Sequence, residues 1–129
     1  MIILKWTACL LAMLVLSGCS TTITTNLTPS KHVRNANGLY LFEVALDSNQ
    51  QTLRKETIKP YVVIGFDKYP MVPAPVLKNR WETLVGPIPA DRTHVNYRYK
   101  FDYEYNRFPQ RGSSSKLSPP YQLEIIDKQ

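Results

Sequence analysis

Asp102 and Glu104 are the residues whose type and spacing come nearest to a catalytic pair. One residue separates them in a stretch with strand periodicity, so both carboxylates would lie on the same face. Two carboxylates placed together can act as acid and base in glycoside hydrolysis. Arg98 and Lys100 share that face, however, and oppositely charged neighbours on a strand pair with one another. We therefore interpret the four residues as a solvated, charge-paired face and predict that the protein is not an enzyme.

Other residue types that serve catalysis or metal binding occur in unsuitable patterns. His32 and His94 are far apart, and neither has a second ligand at the spacing of a zinc site. The run from Ser113 to Ser115 lacks the Gly-x-Ser-x-Gly elbow that presents a nucleophilic serine. The sequence therefore predicts no catalytic residue, no metal site and no cofactor.

A basic, serine-rich segment from residue 106 to residue 118 is the stretch best suited to binding. It carries three cations and no acid, and two tyrosines precede it. The cations would attract an anionic polymer, and aromatic faces can stack on sugar rings. Cationic loops are also often solvated connectors, so both interpretations stay open. The candidate ligand-binding residues are Tyr103, Tyr105, Arg107, Arg111 and Lys116.

The strand that would position these residues runs from His94 to Tyr105. Its odd positions are apolar or aromatic and its even positions polar or charged over twelve residues, which is the period of a half-buried strand. We expect Tyr97, Tyr99 and Phe101 to lie in the core. At about 3.3 Å per residue the strand exceeds the usual length, so its last two tyrosines should be partly exposed.

The remaining segments also predict strands. In residues 39–47 and 80–85 apolar and polar side chains alternate, as in a half-buried strand. Residues 58–66 contain a run of β-forming residues that is apolar on both faces, as in a central strand. Residues 121–125 are predicted to form the closing strand. Residues 69–75 hold three prolines, which restricts them to an edge strand or an extended strap. About seven short strands separated by turn residues favour an all-β fold, a single antiparallel two-sheet sandwich, with a small barrel as the alternative.

One stretch resembles a known architecture. Pro89-Ala90-Asp91 followed by Tyr97-Arg98-Tyr99 is similar to the approach to the sixth strand of immunoglobulin-like and fibronectin-type domains. The chain departs from that pattern in having no cysteine pair within the strands and in placing Trp81 late. The resemblance implies an immunoglobulin-like sandwich and no particular function.

The first 19 residues predict where the protein resides. Lys5 precedes an apolar run from Trp6 to Leu16, which has the length of a secretory signal and is too short to span a bilayer. The sequence Leu16-Ser17-Gly18-Cys19 resembles the lipobox of bacterial lipoproteins. The resemblance implies cleavage before Cys19, a diacylglyceryl group on its thiol and an acyl chain such as palmitate on its amine. The alternative is an ordinary signal peptide whose cysteine stays free.

The resulting domain organisation has three parts. Residues 1–18 form a helical signal peptide, residues 19–37 the lipidated cysteine with a flexible Thr/Ser/Asn-rich tether, and residues 38–129 the sandwich. Within the tether, residues 23–27 could add a first edge strand. Removing the signal leaves 111 of the 129 residues, and losing Lys5 reduces the formal net charge from +6 to +5. Cys9 leaves with the signal, so no disulfide can form. The positive charges are spread along the chain, and we expect no nucleic-acid partner.

The sequence therefore predicts a membrane-anchored envelope lipoprotein with a non-catalytic sandwich that serves structural, adhesion or assembly interactions. The alternative is a carbohydrate- or polyanion-binding module of the cell envelope. The expected partners are the membrane, through Cys19, and an envelope protein or anionic envelope polymer. Ser20 follows the cysteine, and by the same resemblance this residue favours the outer membrane.

Overall fold

The computed structural model describes residues 21–128, and within this range the chain forms ten β-strands. The predicted signal peptide and Cys19 lie outside the described residues. No helix among residues 21–128 is long and apolar enough to cross a membrane. The strands are β1 (Thr22–Asn26), β2 (Lys31–Val33), β3 (Tyr40–Ser48), β4 (Leu53–Ile64), β5 (Asp67–Pro70), β6 (Val72–Pro73), β7 (Arg80–Val85), β8 (His94–Tyr105), β9 (Gly112–Leu117) and β10 (Tyr121–Ile126).

The strands are arranged in two sheets. One has the order β1-β3-β7-β6, and the other has the order β2-β10-β8-β4-β5 with β9 paired to β8. In an immunoglobulin sandwich the first, second, fifth and fourth strands form one sheet and the third, sixth and seventh form the other. β1, β3, β7 and β6 match the first set, while β4, β8 and β10 match the second, with β5 added at its edge. The predicted all-β, immunoglobulin-like two-sheet sandwich is confirmed, and the described strand pairs are antiparallel as predicted except β2 with β10, which are parallel.

The core is built around the alternation of β8. Tyr97, Tyr99 and Phe101 are buried, whereas the even-numbered residues between them are exposed or half-buried. The ring of Phe42, from β3 in the facing sheet, meets the ring of Tyr97 edge-on, with centroids 4.8 Å apart. The predicted register of β8 is therefore confirmed, and Tyr103 and Tyr105 are half-buried as expected.

The domain begins earlier than the sequence predicted. Residues 22–26 form β1, which pairs with β3 from Thr22 opposite Ser48 to Asn26 opposite Val44, and residues 31–33 form β2 beside β10. The predicted boundary at residue 38 is therefore wrong, and residues 22–26 and 31–33 are strands of the sandwich and not a flexible tether. β1 corresponds to the edge strand considered for residues 23–27, whereas β2 was not predicted. A stretch poor in large apolar residues forms edge strands because backbone pairing holds it, with little contribution to the core.

The predicted basic loop is also shorter than expected. Residues 112–117 form β9, which pairs with β8 from Gly112 opposite Tyr105 to Leu117 opposite Lys100. The serine-rich composition concealed a strand because β9 lies at a sheet edge, where most of its side chains are exposed. The loop proper is residues 106–111.

The third deviation is in β4, which begins at Leu53, five residues before the predicted start. Its pairing with β8 is interrupted between Arg54 and Lys59 by a bulge. Thr57 closes the bulge, because its hydroxyl accepts a hydrogen bond from the Glu104 backbone N–H at 2.8 Å and donates to the Arg54 carbonyl at 2.6 Å.

Candidate functional site

Three loops lie at one end of the sandwich, which we call the loop end: residues 49–52, 74–79 and 106–111. The Asn106 N–H donates to the Thr52 carbonyl at 2.7 Å, which joins the first loop to the third. The Leu46 N–H donates to the Asn79 carbonyl at 3.0 Å, which ties the second loop to the end of β3. Binding loops of immunoglobulin-like sandwiches cluster at such an end.

The loop end combines exposed apolar side chains with positive charge. Phe108 is 94% exposed and Val76 101%, and Leu77 beside it is 52% exposed. The three loops contain Lys78, Arg107 and Arg111, all exposed, and no acidic residue. Protein surfaces usually carry charges of both signs and few large exposed apolar side chains. Exposed apolar side chains with charges of one sign therefore distinguish the three loops from an ordinary surface.

The structure brings three of the five predicted ligand-binding residues together on the β8–β9 hairpin. The guanidinium of Arg107 lies 6.0 Å from the centroid of the Tyr105 ring, within cation–π range. Arg111 lies 3.9 Å from the carboxylate of Glu104 and keeps 63% of its side chain exposed. The ring of Tyr105 occupies the space where a side chain on Gly112 would lie. Tyr105 therefore covers a glycine of the opposite strand and also supports Arg107.

The other two predicted residues, Lys116 and Tyr103, lie away from the hairpin tip. Lys116 is on β9 opposite Phe101, and its ammonium donates to the backbone carbonyl of Thr22 at the start of β1. Tyr103 is half-buried opposite Ser114, two pairing steps further from the loop than Tyr105. The predicted group of five is thus divided: three residues lie at the hairpin tip, Tyr103 lies further along β8, and Lys116 bridges to the first sheet.

A polar groove of about 830 Å³ lies on the outer face of the second sheet, where the β4 bulge departs from β8. Its walls carry charges of both signs and three serines, so it favours hydrogen bonding over apolar binding. We call it the outer groove, and it is lined by Glu56, Thr57, Lys59, Tyr61, Lys100, Asp102, Tyr103, Glu104, Ser113, Ser114 and Ser115.

The two carboxylates considered for catalysis lie in this groove and are already engaged. The Ser115 hydroxyl donates to Asp102 at 2.5 Å, and the Lys100 ammonium lies 3.6 Å from the same carboxylate. The Ser115 hydrogen bond, followed by the charge of Lys100, lowers the pKa of Asp102 below its ordinary value. A carboxyl group with a lowered pKa is ionised at neutral pH and is poorly suited to act as a general acid. No group of three or more His, Cys, Asp or Glu residues within 21–128 could hold a metal ion.

A titration of Asp102 would test this account of the groove. We expect its carboxyl to titrate below 3.8 in the folded protein, and we expect Ser115→Ala to raise the pKa more than Lys100→Ala does. Because the folded pKa lies below the unfolded one, this carboxylate stabilises the fold above pH 3.8, and the contribution is lost as pH falls through the folded value. Carboxyl-carbon NMR measures the pKa of Asp102 in the wild type and in each variant. An unchanged pKa in Ser115→Ala would contradict the hydrogen bond.

The sequence did not predict a buried polar cluster between β1 and β8. The Tyr99 hydroxyl lies 2.7 Å from Asn26 Oδ1, 2.7 Å from Thr28 Oγ1 and 2.9 Å from the Glu43 carbonyl. The Asn26 amide also donates to the Tyr97 hydroxyl at 2.8 Å. Burial raises the pKa of Tyr99 far above its ordinary value, so the hydroxyl stays neutral. The only sequence signal was a pair of polar residues in a segment interpreted as a tether.

Comparison with known proteins gives one structural similarity and no family. No family model and no curated protein matches the chain. Among solved structures the chain is similar to murine CRIg, with 12% sequence identity, a TM-score of 0.41, and coverage of 83% of this chain and 99% of that chain. The immunoglobulin-like description therefore rests on the strand order given above.

Proposed function

We propose that this chain is a lipid-anchored envelope protein, attached to a membrane through Cys19, whose immunoglobulin-like sandwich acts by binding other envelope components. Cleavage before Cys19 would remove residues 1–18, and by resemblance to the lipobox pattern Ser20 directs the protein to the outer membrane. The sandwich serves adhesion, scaffolding or assembly and performs no catalysis. The engaged state of Asp102 and Glu104 supports the non-catalytic role.

The observation that carries this proposal is the lipobox-like sequence Leu16-Ser17-Gly18-Cys19, which comes directly before a domain with its own core. The buried cluster is formed by residues between Tyr40 and Ile125, drawn from both sheets. The fold described for residues 21–128 thus contains a hydrophobic core of its own. In the sequence, an apolar run of signal length ends at a lipobox-like cysteine directly ahead of this fold, which is the order expected of a removable lipoprotein signal.

The proposed anchor has a direct test. We expect Cys19→Ala to abolish incorporation of radiolabelled palmitate and to release the protein from the membrane fraction or leave it unprocessed, because the thiol that takes the lipid is lost. Two or three acyl chains on one residue give stable attachment, whereas none gives no anchor. Cys9→Ala is the matched control, since that cysteine precedes the cleavage point and should leave labelling unchanged. A Cys19→Ala variant that matures and fractionates like the wild type would contradict the proposal.

A second candidate function is binding of an anionic or carbohydrate envelope polymer, favoured by the exposure of Arg107 and Arg111 beside Tyr105 at the hairpin tip. Replacing both arginines with alanine should weaken polymer binding by up to about tenfold, since exposed ionic contacts contribute modestly. Arg92→Ala with Arg98→Ala makes the same charge change away from the loop end. Equal affinities in a binding assay of the two double variants would exclude this role for the hairpin.

A further inference from the structure

The point at which the chain enters the sandwich fixes which end would face a membrane. Thr21 lies at the loop end, where its carbonyl accepts a hydrogen bond from the Asn49 N–H at 3.0 Å, and Thr22 pairs with Ser48 at the end of β3. Only Ser20 separates Thr21 from Cys19. Two residues reach at most about 7 Å. A lipid on Cys19 would therefore keep Thr21 close to the bilayer interface and turn the loop end towards it.

The side chains at this end suit such a surface. Phe108, Val76 and Leu77 project from two separate loops, and each is at least half exposed. Lys78, Arg107 and Arg111 accompany them, and the three loops contain no acid. Two contributions hold proteins at a membrane surface. Apolar side chains enter the boundary of the bilayer, and cations attract anionic lipids.

The opposite end of the sandwich has a different character. Its turns and the end of the described chain carry acids, Asp67, Asp91 and Asp127, among its cations. It also carries Phe66, which is 107% exposed in the turn between β4 and β5. Arg98 of β8 lies opposite Val63, near that turn, and Tyr105 at the loop end is seven positions further along the same strand. At about 3.3 Å per residue, the two exposed phenylalanines are more than about 20 Å apart.

We propose that the loop end is a membrane-docking surface, which places Phe108, Val76 and Leu77 in the interface and Arg107, Arg111 and Lys78 against anionic phospholipid headgroups. The inference rests on the proposed lipidation of Cys19 and adds to it an orientation and a ligand class. In this orientation the far turn, with Phe66, remains accessible to other envelope components. The basic loop thus serves to orient the domain on the anchoring membrane.

The experiment uses the full chain, isolated from the membrane fraction and reconstituted into vesicles of phosphatidylcholine with phosphatidylglycerol. The mature sequence has no cysteine except Cys19, so one introduced thiol can be labelled selectively. An environment-sensitive fluorophore is placed at Phe108→Cys, at Val76→Cys or, as the matched control, at Phe66→Cys. All three side chains are fully or almost fully exposed, so the substitutions leave the core untouched.

We expect labels at positions 108 and 76 to show blue-shifted emission and several-fold stronger quenching by lipid-borne spin labels than the label at position 66. Adding Arg107→Ala and Arg111→Ala, or omitting phosphatidylglycerol, should reduce the quenching at position 108. Equal, water-like emission at all three positions would overturn this inference alone if mass spectrometry shows the lipid on Cys19. Absence of that lipid would overturn the proposed anchor as well. A label at position 108 that responds to a soluble anionic polymer and not to the vesicles would assign the loop end to polymer binding instead.

Discussion

Replacing Phe101 with alanine is expected to lower the free energy of unfolding by about 3–5 kcal/mol, as truncation of a large buried aromatic residue usually does. Phe101 is 0% exposed and lies in the middle of β8. Its ring packs edge-on against Trp81 of the facing sheet, with centroids 6.1 Å apart. The truncation would open a cavity between the sheets that rigid strands on both sides cannot close. Urea denaturation followed by circular dichroism measures the change.

Lys100→Ala is the matched control, because Lys100 is the preceding residue on the opposite face of the same strand. Its ammonium lies 3.6 Å from Asp102 and a third of its side chain is exposed. Partly exposed ion pairs contribute about 0–1 kcal/mol, so the loss should be small. Losses of equal size at positions 100 and 101 would contradict the register of β8, since a slip by one residue exchanges the two faces of a strand.

Tyr99→Ala should cause a loss of about 3–5 kcal/mol or more, because it removes a fully buried ring and also leaves Asn26, Thr28 and the Glu43 carbonyl without their shared partner. Tyr99→Phe separates the two contributions. It keeps the ring and removes the hydroxyl, and we expect it to cost about 1–3 kcal/mol through the buried polar groups left behind.

Tyr121→Phe provides the comparison for the hydroxyl. Tyr121 belongs to the same aromatic cluster, with its ring centroid 5.7 Å from that of Tyr97, but it is only half-buried. Removing its hydroxyl should change stability by less than about 0.5 kcal/mol, as changes outside buried networks usually do. If Tyr99→Phe unfolded at the same urea concentration as the wild type and Tyr121→Phe, the buried cluster would not stabilise the junction of β1 with the core.

The sequence by itself determined the features that depend on local periodicity and backbone chemistry. The alternation from His94 to Tyr105 predicted the bounds of β8, its buried face and the partial exposure of its last tyrosines, and the structure confirms each. The prolines at positions 70 and 73 predicted edge strands, and β5 and β6 are the edges of their sheets. Such patterns can be predicted because a buried strand face and a missing N–H donor are recorded in the residues themselves. The anchor at Cys19 also comes from local sequence and stays a prediction.

Only the tertiary structure decided which polar segments become strands and which loops lie at the same end of the sandwich. β1, β2 and β9 have little apolar content, and each forms because a partner strand offers unpaired backbone groups to it. The bulge that shapes the outer groove arises where the pairing of β4 with β8 is interrupted. The loop end brings residues 21, 76 and 108 to one end of the sandwich from distant parts of the chain. No local pattern records that proximity, because it follows from the order in which the two sheets assemble.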